Sequence, residues 1–254
     1  MKGRSRSSST PTRRSNPARR PKSGKKWTKA AALRELRELA DPKVRRKLAY
    51  FGVNVPKADG ISAPVRNALA RHIGRDQPLA EQLWLSGIHE AKILAALIGE
   101  SKKVTATQME RWVRDFDSWD VVDTVCCYLY AAAKPAWEKI YEWSTRRAEF
   151  PKRAAFSLAA YLSYKDKVAE DARFERLLSV IEREAHDERN FVRKAVNWAL
   201  RNIGKRNLRL NAAAIRSAER IRQQNSRAAR WIAADALREL KSDAVHARLR
   251  NKAG

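Results

Sequence analysis

Glycine and proline are scarce in this 254-residue chain, nine of each, and cysteine is nearly absent. Few turn formers against abundant Ala, Leu, Arg and Glu favour helices throughout, and alternating β-branched strands are missing. The two cysteines, Cys126 and Cys127, are adjacent inside an apolar run. On a helix their side chains diverge, so they read as small buried hydrophobes in a reducing compartment, with neither a disulfide nor a metal knuckle expected. His72, His89, His186 and His246 lie far apart, with no HxxxH, HExxH or CxxC pair, and no metal is expected. There is no Gly-rich phosphate loop and no GxSxG turn, so no cofactor is expected and any reaction must rely on side chains and water. No window approaches the roughly 20 apolar residues needed to cross a membrane, and no secretory apolar segment stands near the start. A cytoplasmic protein without membrane contact is the expectation.

Acidic residues are also short: 28 against 54 Lys and Arg, a net charge of +26. The surplus is uneven. Residues 1–26 carry ten basic residues and no acid, and 201–254 carry fourteen basic and four acidic residues. The middle, 27–200, holds thirty against twenty-four. Basic ends around a nearly balanced middle are the footprint of a polyanion binder, although a generally basic surface could serve solubility alone. Residues 1–26, rich in Ser, Arg and Pro, are expected to form a disordered basic arm, and 27–254 a single helical domain.

From Trp27 onward, apolar residues recur at helical spacing between short breaks. Helices are predicted over Thr28–Ala40, Pro42–Tyr50, Pro64–Ile73, Pro78–Leu85, Ile88–Gly99, Thr105–Phe116 and Asp117–Ala133. Further helices are predicted over Pro135–Ser144, Pro151–Tyr164, Val168–Ala185, Asn190–Ile203, Leu210–Gln224 and Ser226–Leu240, then a short terminal one. Helix pairs recurring about every 35–45 residues suggest an all-α, right-handed α-solenoid of HEAT-like pairs; a compact bundle is the competing architecture. The segment 166–190 is acidic, eight against five, and is assigned to the convex side.

Three stretches carry possible chemistry. In DSWDVVDTVCCYLYAAA, residues 117–133, Trp119 and Asp123 stand four apart on one helical face. Asp120 is explained as a first-turn acid favoured by the helix dipole. Asp123 is not, because it interrupts an apolar face with a group costly to bury unpaired. In ERNFVRKAVNWALRNIGKRN, residues 188–207, Lys194, Trp198 and Arg201 share a face flanked by Arg193, with Lys205 and Arg206 beyond. Tryptophan among cations suits a phosphate backbone with a sugar or base beside it, though a core Trp198 with solvated cations fits equally. In FPKRAAFSLAAYLSY, residues 150–164, Arg153 enters a small, apolar helix; alone it reads as structural.

Together these stretches resemble the bacterial AlkD-like DNA alkylation repair glycosylases, built from HEAT-like repeats. The most specific segments are WDxxD and RKAxxWALR, with weaker support from YFGV at 50–53, GISAPVR at 60–66 and LWLSGIHEAKILA at 83–95. The resemblance covers about residues 30–235 and implies catalysis by Asp123, lesion-side walls from Trp119 and Trp198, and an active-site Arg153. It implies a glycosylase for cationic N3- or N7-alkyl purines in double-stranded DNA; a monomer is expected, with a concave basic face on which Arg193, Lys194, Arg201, Lys205 and Arg206, from their spacing and charge, contact phosphates. A non-enzymatic HEAT-like scaffold that binds nucleic acid or protein is the alternative. The long basic arm departs from the family pattern.

Overall fold

A computed structural model describes residues 26–53 and 58–253; of the expected basic arm, all but Lys26 lies outside the described residues. The described chain is helical from end to end. In order the helices are α1 (Lys29–Glu38), α2 (Pro42–Tyr50), α3 (Ala63–Ile73), α4 (Gln77–Trp84), α5 (His89–Ile98), α6 (Ala106–Arg114) and α7 (Trp119–Tyr128). They continue as α8 (Ala136–Ser144), α9 (Glu149–Lys165), α10 (Asp171–Glu184), α11 (Asn190–Gly204), α12 (Leu208–Arg222), α13 (Arg227–Leu240) and α14 (Asp243–Ala253).

Local chemistry sets most boundaries. Thr28, Asp41, Asp76, Thr105, Asn207 and Ser226 each cap a helix by accepting a first-turn N–H. Proline sits at the first or second position of α2, α3 and α4, where its missing N–H has no helical partner to lose.

The packing is that of an α-solenoid. Helices α5, α7, α9, α11 and α13 pack each on the next, starting at residues 89, 119, 149, 190 and 227. Helices α8, α10, α12 and α14 form a second row behind them. One apolar core runs from Ala32 to Leu240 between the rows, and its centre holds Trp84 stacked on Trp112 with centroids 4.0 Å apart. The acidic α10 lies in the second row, packed on α8 and α12, away from the first row's open face.

Several boundaries differ from the sequence expectation, most by one or two residues, and three have a visible cause. The stretch 117–133 is not one helix: α7 ends at Tyr128 and a 3₁₀ turn, Tyr130–Ala132, follows. That tightening places Tyr130 in the core between Trp112 and Trp143. Helix α9 begins at Glu149, so Pro151 falls in the first turn, where no helical hydrogen bond is lost. Helix α10 begins only at Asp171, because the carbonyls of Asp166 and Ala169 are held by Arg206 instead.

Candidate active site

The first row of helices presents one cleft of about 580 Å³, lined from α7, α9, α11, α13 and the turn after α2. Its floor is set by α7. Trp119 opens this helix and Asp123 follows one turn later, so both side chains face the cleft. The Trp119 indole N–H donates to the Phe51 carbonyl at 2.9 Å, which fixes one wall. Gly52 makes that wall possible. Its φ is +75°, and a Cβ there would lie 3.3 Å from the Phe191 ring, so glycine lets the turn after α2 close on α11.

Asp123 is held from α9. Arg153 donates through Nε at 3.2 Å to Oδ1 and through Nη2 at 2.7 Å to Oδ2. Ser157, one turn on from Arg153, donates through Oγ at 2.8 Å to Oδ1. A carboxylate offers about four acceptor positions; these three bonds leave one, on Oδ2. The third Arg153 nitrogen, Nη1, donates to the Phe191 carbonyl at 2.8 Å. The Arg153 side chain is 7% exposed and that of Asp123 18%. Arg153 therefore braces the carboxylate from behind, and Asp123 keeps the contact with the cleft.

Across from Asp123, Trp198 meets the edge of Tyr161 with ring centroids 4.9 Å apart and leaves one side open to the cleft. Burial and the Asp123 charge push the Tyr161 phenol well above its ordinary value, so this hydroxyl stays protonated. The cleft is thus an aromatic box onto which the braced Asp123 opens, while its second carboxylate, Asp235, is engaged by Arg201 and Asn197. Such a box favours a positively charged or planar guest, through ring faces and charge together.

Of the sequence-predicted residues, Trp119, Asp123, Arg153, Lys194, Trp198 and Arg201 come together in this cleft. Lys194 is exposed there. Arg201 is tied to Glu239 at 2.5 Å and lies 3.4 Å from Asp235. Arg193 flanks the cleft, with its guanidinium carbon 5.1 Å from the Trp231 ring centroid. Lys205 and Arg206 lie elsewhere. Lys205 pairs with Glu239 at 2.6 Å. Arg206 donates to the carbonyls of Ser163 and Asp166 and stacks on Phe174, so its guanidinium staples the turn before α10.

Sequence reasoning missed Phe51, Ser157, Phe191, Asn197, Trp231 and Asp235. Ser157 was within reach, since it stands four residues after Arg153 and shares its face. Trp231 also carried a signal, being a tryptophan in the Arg-rich run RAARW. The others are placed by packing across 30 residues or more. Among the described residues there is no group of three or more His, Cys, Asp or Glu able to hold a metal, and no helix is long and apolar enough to cross a membrane.

A family model described as DNA alkylation repair enzyme matches residues 32–240. Comparison with curated proteins gives no match. Among solved structures, one described as "A new family of proteins related to the HEAT-like repeat DNA glycosylases with affinity for branched DNA structures" superposes with a TM-score of 0.70. It is 18% identical, and the match covers 84% of this chain and 95% of that one. At that identity the likeness concerns the fold, a HEAT-like repeat solenoid.

Proposed function

Because the chain belongs to the DNA alkylation repair enzyme family, we propose that it is a monofunctional DNA glycosylase releasing cationic N3- or N7-alkyl purines from duplex DNA. The observation that carries this reading is Asp123, braced by Arg153 and Ser157 but open on one side to an aromatic cleft.

The chemistry needs little else. A purine alkylated at N3 or N7 already bears a positive charge, so its glycosidic bond breaks without a proton donor. The bonding pair leaves with the base, which becomes neutral, and positive charge builds on the sugar. The remaining Oδ2 acceptor of Asp123 faces that oxocarbenium-like carbon and orients a water molecule, whose oxygen bonds to C1′ while its proton passes to the Asp123 carboxylate and on to solvent. Trp119 and Trp198 wall the sugar and favour its charge through their ring faces. Arg153 keeps the carboxylate aimed, a positioning role that accounts for three of its donors facing inward. Lys194 stands free at the rim to meet a backbone phosphate.

The competing reading is DNA binding without excision. It draws on the same bonds, since a carboxylate with three donors could be structural. Incubating the full chain with N-methylated duplex DNA and quantifying free bases separates the two. Release of 7-methylguanine or 3-methyladenine above the spontaneous rate is expected. Bound but intact DNA would leave only the binding reading.

A further inference from the structure

A second depression, of about 760 Å³, opens at the far end of α11. It is lined from the α9–α10 turn, the end of α11, the start of α12 and α14, and its lining includes six cations and no acid. Three cations are already matched: Lys205 by Glu239, Arg206 by carbonyls and by Asp171 at 3.9 Å, and Arg209 by Glu175 at 3.0 Å. The side chains of the other three, Lys167, Arg248 and Lys252, make no ion pair or hydrogen bond among the described residues, although the Lys167 carbonyl accepts from Arg206.

Gathering like charges this way costs folding energy. The Lys252 ammonium is pushed below its ordinary value by burial and by Arg248, Lys167 and Arg206 nearby. The bland account is that Lys252, in the last turn of α14, complements that helix's dipole. It does not extend to Lys167, which sits in a turn, or to Arg248, mid-helix. The start of α12, a 15-residue helix, also borders the depression and adds its positive end.

We infer that Lys167, Arg248 and Lys252 form a second phosphate-backbone site, distinct from the cleft, that grips DNA flanking the cleft-bound segment. Position selects DNA over a free anion. Trp198 on α11 and Lys205 just past its end stand about 10 Å apart along the helix axis at ~1.5 Å per residue. That is about three base-pair steps at ~3.4 Å each, and Arg201 of the cleft and Asn202 of the depression are consecutive, so the depression is within reach of a backbone held in the cleft. Helix α14, which carries Arg248 and Lys252, lies outside the family-matched residues 32–240, whereas Lys167 lies within them. The inference concerns DNA contact alone and stands whether or not the cleft excises bases.

The test is the full chain carrying K167Q, R248Q and K252Q together. All three positions are exposed, and a melting curve checks that the variant folds; K167R/K252R, which keeps the charge, is the control. Affinity for an undamaged duplex of about 25 base pairs is measured across a salt series. Each lost phosphate contact removes about 0.9 from the log–log salt slope. The triple variant should therefore lose two to three units of slope, on the order of tenfold or more in affinity at physiological salt, while the control retains both. An unchanged slope and affinity would overturn the proposal. So would a result in which the variant loses binding of inorganic tripolyphosphate but keeps its DNA affinity, since the site would then serve a small polyphosphate.

Discussion

Two aspartates three residues apart on α7 have opposite surroundings. Asp120 faces α5, where its Oδ2 lies 3.0 Å from His89 Nε2, and Ser118 Oγ and the Val121 N–H bond its other oxygen. The side chains of this pair are 11% and 2% exposed, and neither lines the cleft. Asp123 faces α9 and the cleft, with donors behind it and an aromatic box in front. Both carboxylates are paired, so pairing does not mark the functional one. What differs is the acceptor position left over and the space it opens on. One face of α7 fastens the helix to its neighbour, and the other presents a charge.

That contrast predicts the largest stability effect for Asp120. Removing one partner of a buried pair leaves the other uncompensated, and Asp120→Ala should cost about 3–5 kcal/mol, read as a lower melting temperature. The loss has a pH signature. Burial pushes the Asp120 carboxyl up, but His89, Ser118 and Arg66 together hold it below its ordinary value. A carboxyl depressed in the folded state stabilises fully above its unfolded value and loses that contribution as the pH falls through its folded one. The melting gap between wild type and Asp120→Asn should therefore be widest near neutrality and close below about pH 4. A gap independent of pH would show that packing, not charge, fastens α7 to α5.

On the cleft side, the effects belong to rate and binding. Trp198→Ala removes a ring face worth about 0.5–2 kcal/mol toward a cation, so base release should fall by roughly 2- to 30-fold, measured in single-turnover experiments with folded protein. The smallest effect separates two cations on one face of α11. Lys194 is unpaired among the described residues, whereas Arg201 is committed to Glu239 and Asp235. Lys194→Gln should lower the salt slope of DNA binding by about 0.9, and Arg201→Gln by less. Equal losses would show that DNA breaks the Arg201 ion pairs on binding.

The α7 contrast also shows what sequence can and cannot carry. Asp123 was legible because local pattern marks it: an acid interrupting an apolar face, one turn from Trp119. Most helices were legible from caps and from prolines such as Pro42 and Pro64. Asp120 does stand in the first turn of α7, as the sequence suggested, but its pairing with His89 was hidden because that residue lies 31 positions away, beyond any local period. Separation in sequence also hides Phe191, 38 residues from Arg153, and the true end of α7, where Tyr130 reaches Trp143 on α8. Arg206 looked like a surface cation because its carbonyl partners lie some 40 residues earlier. In a solenoid each repeat is completed by the next, so partners sit one repeat apart and leave no trace in a short window.

The central claim is that Asp123 performs chemistry while Asp120 holds structure. One paired measurement on two isosteric variants tests it: single-turnover release of 7-methylguanine from methylated duplex DNA, alongside thermal melting, for Asp123→Asn and Asp120→Asn. Asp123→Asn keeps a carbonyl oxygen for Arg153 and Ser157 but removes the charge that opposes the sugar cation. Its release rate should fall at least about a hundredfold, with DNA still bound and a smaller drop in melting temperature than Asp120→Asn shows. Asp120→Asn should melt earlier yet, below its transition, release base at close to the wild-type rate. Wild-type release by Asp123→Asn, or a loss of release accounted for by unfolding, would contradict the account.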